Sequence, residues 1–363
     1  MSVELELVLV GFGNVARRFA TLLEERRAIL ARDYGFSPRV IAIATRRHGR
    51  LHAPRGLDAV RLAEGVARGE PLAPPGREST VAFLRAVLAT PTAARAARQG
   101  RLVVIETTTL DIARGEPATS HVRAALGAGA HVVTANKGPA AFAWHTLAVA
   151  ARRADRRFLF EGAVMDGIPV FNLVRETLPA VVVLGFRGVV NTTTNYILTE
   201  MERGEPFERA LAAMQAAGIA EADASLDVDG WDAAAKTAAL ANVLLGAKIT
   251  PRQVEREGLT AATAARAVAA RAAGRRLKLV AAAERTADGV RARVGLDALA
   301  ADDLLAGLEG QQNAVVLRTD LLGDIAIVQR GSGLTGTAYA LLSDLVTIGR
   351  EVTSRGTIRR SRP

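Results

Sequence analysis

Lysine is rare in this chain. Of 47 basic residues only four are lysine, at positions 137, 236, 248 and 278. One of them closes the stretch Asp229-Gly-Trp-Asp-Ala-Ala-Ala-Lys236. A drift toward arginine accounts for the other basic sites, so a lysine retained here marks a place where a guanidinium does not serve. An ammonium is compact and loses its proton when desolvated, whereas a guanidinium stays charged. Asp232 and Lys236 stand four residues apart and so share one helical face. A solvated pair of this kind contributes only about 0.3–0.5 kcal/mol. The helix that carries it, however, runs Ala-Ala-Ala-Lys-Thr-Ala-Ala-Leu-Ala-Asn-Val-Leu-Leu, with too little polarity for a surface helix. The pair is therefore expected to be partly buried, where its lysine can transfer a proton.

A second lysine, Lys137, sits in Ala135-Asn-Lys-Gly-Pro139, just after a strand expected at His131 to Thr134. A glycine turn opens the chain. Glu4 to Val10 alternates and then turns apolar, Gly11-Phe-Gly-Asn-Val-Ala16 follows, and an amphipathic helix is expected over Arg17 to Arg32. In this strand, turn and helix Gly11 permits the tight turn, Gly13 admits a pyrophosphate and Ala16 allows close packing, with Asn14 and Val15 opening the helix toward the phosphates. The next strand, Arg39 to Ala44, ends at Thr45-Arg46-Arg47, where a fold selective for NAD usually carries an acid. Two arginines suit a 2′-phosphate and favour NADP, with NAD as the alternative; solvated loop arginines are the plain reading.

Further strands at Leu102 to Ile105 and His131 to Thr134 make a doubly wound parallel sheet, with ligands beyond its carboxyl ends. That places Thr107, Thr108, Asn136 and Lys137 beside the reactive end of a dinucleotide. Position alone leaves a phosphate-binding or loop role equally open for Lys137. The second half reads as α+β. A short strand at Arg157 to Phe160, a helix-like segment to Leu178 and an apolar run Val181 to Val190 precede strands at Leu277 to Ala283, Val290 to Gly295, Ala314 to Thr319 and Asp324 to Val328. These give a mixed or antiparallel sheet. Two domains are expected, a Rossmann-type dinucleotide-binding domain over 1–155 and a substrate and dimerisation domain over 156–330, with a last helix near 335–352 packing back on the first. The spacer from Leu51 to Arg77 reads as an irregular loop with a short helix.

Taken together, Gly11-Phe-Gly-Asn-Val, Thr134-Ala-Asn-Lys-Gly-Pro139, Gly167-Ile-Pro169, Thr193-Thr-Asn-Tyr-Ile-Leu198, Glu221-Ala-Asp and Asp227-Val-Asp-Gly-Trp-Asp-Ala-Ala-Ala-Lys236 resemble homoserine dehydrogenases, in the right order over about residues 4 to 345. The resemblance is to the short form, without a C-terminal regulatory domain. It implies NAD(P)H-linked interconversion of L-aspartate 4-semialdehyde and L-homoserine, on the way to threonine and methionine, by a homodimer joined through the second domain. It further implies that Lys137 and Lys236 flank the reacting oxygen, that Asp232 orients Lys236, and that Glu221 holds the substrate ammonium with support from Asp227. Thr193 and Tyr196 are further substrate-side candidates. A monovalent cation, sodium or potassium, is implied on the segment Glu161 to Ile168, with Glu161, Val164 and Asp166 as its residues. Thr192 stands where the family's Asn-Gly-Thr-Thr-Asn has glycine, and Asp166 where a small residue is common. Both departures favour the alternative of a relative acting on another small amino-acid aldehyde. A non-catalytic NADP-binding sensor is the alternative from another class, but it has no need of Lys137, Glu221, Asp232 and Lys236 together.

Composition limits the other classes. The chain has 363 residues, 49% of them hydrophobic, and a net charge of +10. Its arginines are scattered rather than gathered with aromatics, which make up 4%, so nucleic acid is not expected as a partner. The longest uncharged apolar runs fall short of the ~20 residues of a membrane span, and the first residues lack the basic start of an export signal. No cysteine is present, which excludes disulfides and thiol chemistry and fits a reducing cytoplasm. Neither His-Glu-x-x-His nor Gly-x-Ser-x-Gly occurs, so zinc and serine hydrolases are not signalled.

Overall fold

Near-continuous apolar runs such as Leu7 to Val10 and Leu102 to Ile105 are stable only where both faces of a strand are covered. In the computed structural model, which describes residues 2–74, 78–216, 223–331 and 333–360, with side chains to 355, these runs are wholly buried. They belong to a six-stranded sheet made of β1 (Val3–Val10), β2 (Phe36–Ala44), β3 (Arg50–His52), β4 (Leu102–Glu106), β5 (His131–Thr134) and β6 (Phe158–Leu159). The order is β3-β2-β1-β4-β5-β6. Every pairing is parallel except β2 with β3. Because β2 and β4 lie on opposite sides of β1, the chain changes direction there, and such a switch point opens a crevice at the carboxyl ends of the strands.

The chain divides into two units, one of Met1–Pro139, Ala143–Pro169 and Gly333–Pro363, the other of Ala140–Phe142 and Val170–Ser332. In the first, the amphipathic run breaks at Arg26 into helices Asn14–Glu25 and Arg27–Tyr34. The break lets Leu22, Leu23 and Leu30 reach one core, which also takes Leu7, Phe19 and Phe36. The spacer holds the short helix expected of it, Ala59–Ala67, and its start adds the edge strand β3. The last helix, Leu334–Arg360, is longer than its apolar pattern indicates and sends Leu341, Leu345 and Ile348 into this core. Its Gly349 is required by packing, since a Cβ there would lie 2.4 Å from the Phe36 ring.

The second unit is built on β7 (Val183–Val189), β8 (Glu255–Arg256), β9 (Arg275–Thr286), β10 (Gly289–Ala300), β11 (Asn313–Thr319) and β12 (Asp324–Gln329), in the order β12-β11-β7-β9-β10-β8. Only the short β8 pairs in parallel. β9 and β10 form a hairpin longer than their apolar centres predict, because their charged ends also pair in register, from Arg275 with Ala300 to Thr286 with Gly289. Before β7 the helix-like segment is a single π-helical turn, Leu173–Thr177.

His131 of β5 is 4% exposed. Its Nδ1 accepts from the Arg157 amide at 3.0 Å and its Nε2 donates to the Gly100 carbonyl at 3.1 Å, which holds the ring neutral. Burial first, and the Arg156 charge second, push its pKa down from 6.5 to about 4. As pH falls between those values the unfolded chain binds a proton that the native state refuses, so stability falls by about 1.4 kcal/mol per pH unit on this account. The variant His131→Gln is expected to lose melting temperature less steeply than the parent between pH 6.5 and 4, measured by thermal unfolding across that range.

Candidate active site

The helix Trp231–Leu244 starts after Gly230, whose φ of 77° ends the short helix Ser225–Val228 and turns the chain. The alanines at 234, 235, 238, 239 and 241 are wholly buried, and their small side chains admit neighbouring backbone closely. Asp232 and Lys236, the charged residues of this helix, keep side-chain exposures of 16% and 15%. Lys236 Nζ lies 3.1 Å from Asp232 Oδ2 and donates to the Val190 carbonyl at 2.6 Å. Val190 directly follows β7.

Asn191, the next residue, is the centre of the arrangement. As N-cap of the helix Thr192–Glu202, it accepts at Oδ1 from the Thr194 amide at 2.9 Å. Its Nδ2 donates to Asp227 Oδ1 at 2.7 Å and to Asp232 Oδ2 at 2.9 Å. Burial and then the Asp232 charge push the Asp227 carboxyl above the usual carboxylate range, against the pull of Asn191, Lys236 and the Thr193 hydroxyl. Asp227, Asp232, Lys236 and Thr193 thus share one network. Asn191 was not singled out by sequence, although its place between an apolar strand and a Thr-rich helix start is the signal of a cap. Tyr196 packs instead into an apolar cluster with Met214, Ala224, Leu211 and Val228. Glu221 lies outside the described residues.

In the first unit a cleft of about 400 Å³ opens beyond β1 and β4. Gly11, Gly13, Arg46, Arg47, Thr107 and Thr108 line it, together with Arg17, Thr45, His48 and His121, which sequence did not single out. Gly11 holds φ at 90°, and a Cβ there would sit 2.7 Å from the Thr107 backbone. A Cβ on Gly13 would meet nothing within 4 Å, so its backbone faces open space where a ligand can approach. No side chain caps the helix that Asn14 and Val15 begin, and Asn14 Oδ1 instead accepts from Arg17 Nη2 at 2.5 Å. Uncapped amides at this end suit an anion. Thr45 pins the turn that carries Arg46 and Arg47, its Oγ1 accepting from the His48 amide at 2.7 Å and donating to the Gly49 carbonyl at 2.9 Å. Both arginines are exposed.

Lys137 is the first residue of the helix Lys137–Ala154, which Asn136 caps, its Oδ1 accepting from the Gly138 amide at 2.8 Å. Pro139 is tolerated in a first turn, where its missing donor has no partner to lose. Asn136 also donates from Nδ2 to the Thr108 carbonyl at 2.8 Å, tying this turn to the cleft. In the segment 161–168, Glu161 and Val164 are buried, the Glu161 amide donates to Asp344 Oδ2 at 2.9 Å, and Asp166 holds φ at 50° with its Oδ1 accepting from Thr337 Oγ1 at 3.1 Å.

Residues 11–161 match the family model of the homoserine dehydrogenase NAD binding domain, and residues 169–346 match the homoserine dehydrogenase model. The chain is 38% identical over 353 residues to the NAD(+)-dependent homoserine dehydrogenase of Pseudomonas canavaninivorans, covering 97% of this chain and 98% of that one. It is 33% identical to a homoserine dehydrogenase of Methanocaldococcus jannaschii, over 95% of this chain and 98% of the relative. A solved homoserine dehydrogenase from Thiobacillus denitrificans matches with a TM-score of 0.79 at 29% identity, over 97% of this chain and 74% of that one. A hyperthermophilic archaeal homoserine dehydrogenase in complex with NADPH matches with a TM-score of 0.78 at 26% identity, over 96% and 98% of the two chains. Similar along almost its whole length to these proteins, and carrying their two domains in order, this chain belongs to the homoserine dehydrogenase family.

Proposed function

We propose that Lys236 is the proton donor in the NAD(P)H-linked interconversion of L-aspartate 4-semialdehyde and L-homoserine. The observation that carries this is the contact of Lys236 with both Asp232 and the Val190 carbonyl on a helix that is otherwise almost wholly buried. When bound, the reduced nicotinamide supplies hydride to the aldehyde carbon. The C=O π electrons then move to oxygen, which takes a proton from the Lys236 ammonium. Asp232 holds that ammonium in place and stays an acceptor, because Asn191 donates to the same oxygen. Asp227, with Thr193, is assigned to the substrate ammonium alongside Glu221. Lys137 is the second amine of the reaction, and Tyr196, packed in its apolar cluster on the helix that carries Thr193, backs the substrate side without joining the polar network.

The dinucleotide is assigned to the cleft of the first unit, its pyrophosphate at Gly11, Gly13 and the helix start. We take NADP as the preferred cofactor, because Arg46, Arg47 and His48 edge that cleft and none of its lining residues is acidic. NAD is the second reading, favoured by the named specificity of the Pseudomonas relative. A sodium or potassium ion is assigned to main-chain oxygens of Glu161, Val164 and Asp166. Asp166 keeps a left-handed φ of 50°, costly for a residue with a Cβ, and among the described residues no three His, Cys, Asp or Glu side chains form a metal cage. The homodimer is assigned to the second sheet, which leaves a concavity of about 360 Å³ lined only by strand residues of both charge signs, among them Arg187, Glu284, Arg318 and Asp324. A cytoplasmic setting completes this reading.

Three outcomes test it. The parent chain is expected to oxidise NADPH in the presence of aspartate semialdehyde, and Lys236→Arg to lose at least about 100-fold in kcat while keeping its fold by circular dichroism. Arg46→Glu with Arg47→Glu is expected to raise the KM for NADPH about ten-fold and leave that for NADH nearly unchanged. Asp227→Asn removes a carboxylate that is costly to ionise in the native state. Its melting temperature is expected to exceed the parent's at neutral pH, the gain shrinking as pH falls toward 3.8, while kcat/KM falls.

A further inference from the structure

We infer that Glu106, the last residue of β4, is a positioning residue for the cofactor-binding half, a role it exercises through Thr108 and Asn136. This rests on the assignment of the dinucleotide to the first unit. Glu106 is fully buried, and a carboxylate in such a place needs donors on every side. Its Oε1 accepts from the Thr108 amide at 3.0 Å and from the Thr108 hydroxyl, and its Oε2 accepts from Thr134 Oγ1 at 2.8 Å. Thr134 Oγ1 in turn accepts from the Asn136 amide at 2.9 Å, and Asn136 Nδ2 donates back to the Thr108 carbonyl at 2.8 Å.

These bonds close a ring. It joins the carboxyl ends of β4 and β5, and its members stand next to Thr107, which lines the cleft, and to Lys137, the proposed second amine. Gly138 adds a close approach to the same turn, since a Cβ there would lie 2.9 Å from the Gly115 Cα. His121, 1% exposed in its side chain and lining the cleft, sets its Nδ1 3.5 Å from Glu106 Oε1. Neither nitrogen of that ring has a hydrogen-bond partner among the described residues. The imidazole thus lines the cleft and also approaches the carboxylate.

The geometry is specific to a group that accepts at both oxygens. Three donors converge on two oxygens, and an amide in its place presents NH₂ where one oxygen stood. If the amide nitrogen faces Thr134, that hydroxyl loses its acceptor while still receiving the Asn136 amide. If it faces Thr108, two donors confront a donor. Either arrangement opens the ring and loosens both loops without removing any group that touches the ligand.

The test measures dinucleotide binding by quenching of protein fluorescence, and turnover separately, for the full chain and for Glu106→Gln and Thr134→Val. The second variant keeps side-chain volume and breaks the same ring at another bond, so it serves if the first does not fold. Each is expected to weaken NADPH binding about ten-fold and to lower kcat, with the KM for the amino-acid substrate unchanged and with Glu106→Asp recovering part of the loss. Variants that melt earlier but bind NADPH and turn over as the parent does would overturn the assignment and leave Glu106 a structural residue. A parent chain that binds neither dinucleotide would overturn the cofactor assignment beneath it, and this one with it.

Discussion

An ammonium held against a carboxylate on an alanine-rich helix is the constraint that orders the second unit. Such a pair is poorly hydrated, and desolvation weighs against it unless further hydrogen bonds complete each partner. Here they do. The Val190 carbonyl accepts a hydrogen bond from Lys236, and Asn191 donates one to Asp232 and another to Asp227. Both groups come from the end of β7, so the strand, the cap of the following helix and the buried helix are all fixed by one polar cluster. Removing either charge leaves the other uncompensated, which is why the site and the packing beneath it cannot vary independently.

The first unit meets the opposite problem, that of leaving space. Gly11 is pressed against Thr107, and Gly13 faces open space, so the backbone itself forms the floor of the cleft. Its edge is made by charges on a turn that Thr45 anchors, and its side by loops that the Glu106 ring joins. Precision at the reacting end of a cofactor depends on such supporting bonds, because a donor or amine that wanders by an ångström loses most of its effect.

What sequence revealed follows from distance along the chain. Asp232 and Lys236 were legible because a helix turns four residues into one face, and the opening glycines because strand, turn and helix are contiguous. The Asn191 bridge was not, since Asp227 and Asp232 lie 36 and 41 residues away and only the fold brings them to β7. Glu106 was legible as part of the segment that follows the strand Leu102 to Ile105 and faces the cofactor, but its bond to Thr134 was not, since that residue lies 28 positions away. Rarity of lysine was an incomplete guide. Lys278 is more deeply buried than Lys236, but it donates to Asn195 Oδ1 at 3.2 Å and to the Leu308 carbonyl, and burial draws its pKa down to about 8. Element ends were hidden where charge interrupts a pattern, as at Arg275, Arg276 and Arg285 of the long hairpin, whose backbone pairing continues regardless of side chain.

Proton delivery by the Lys236 amine is the centre of the account, and chemical rescue of a Lys236→Ala variant measures it most directly. Added primary amines are expected to restore NADPH oxidation in proportion to their concentration, with a rate that depends on amine pKa, whereas guanidinium restores none. Rescue by guanidinium equal to that by amines would contradict the account. So would the absence of any rescue in a variant that still folds and binds the dinucleotide.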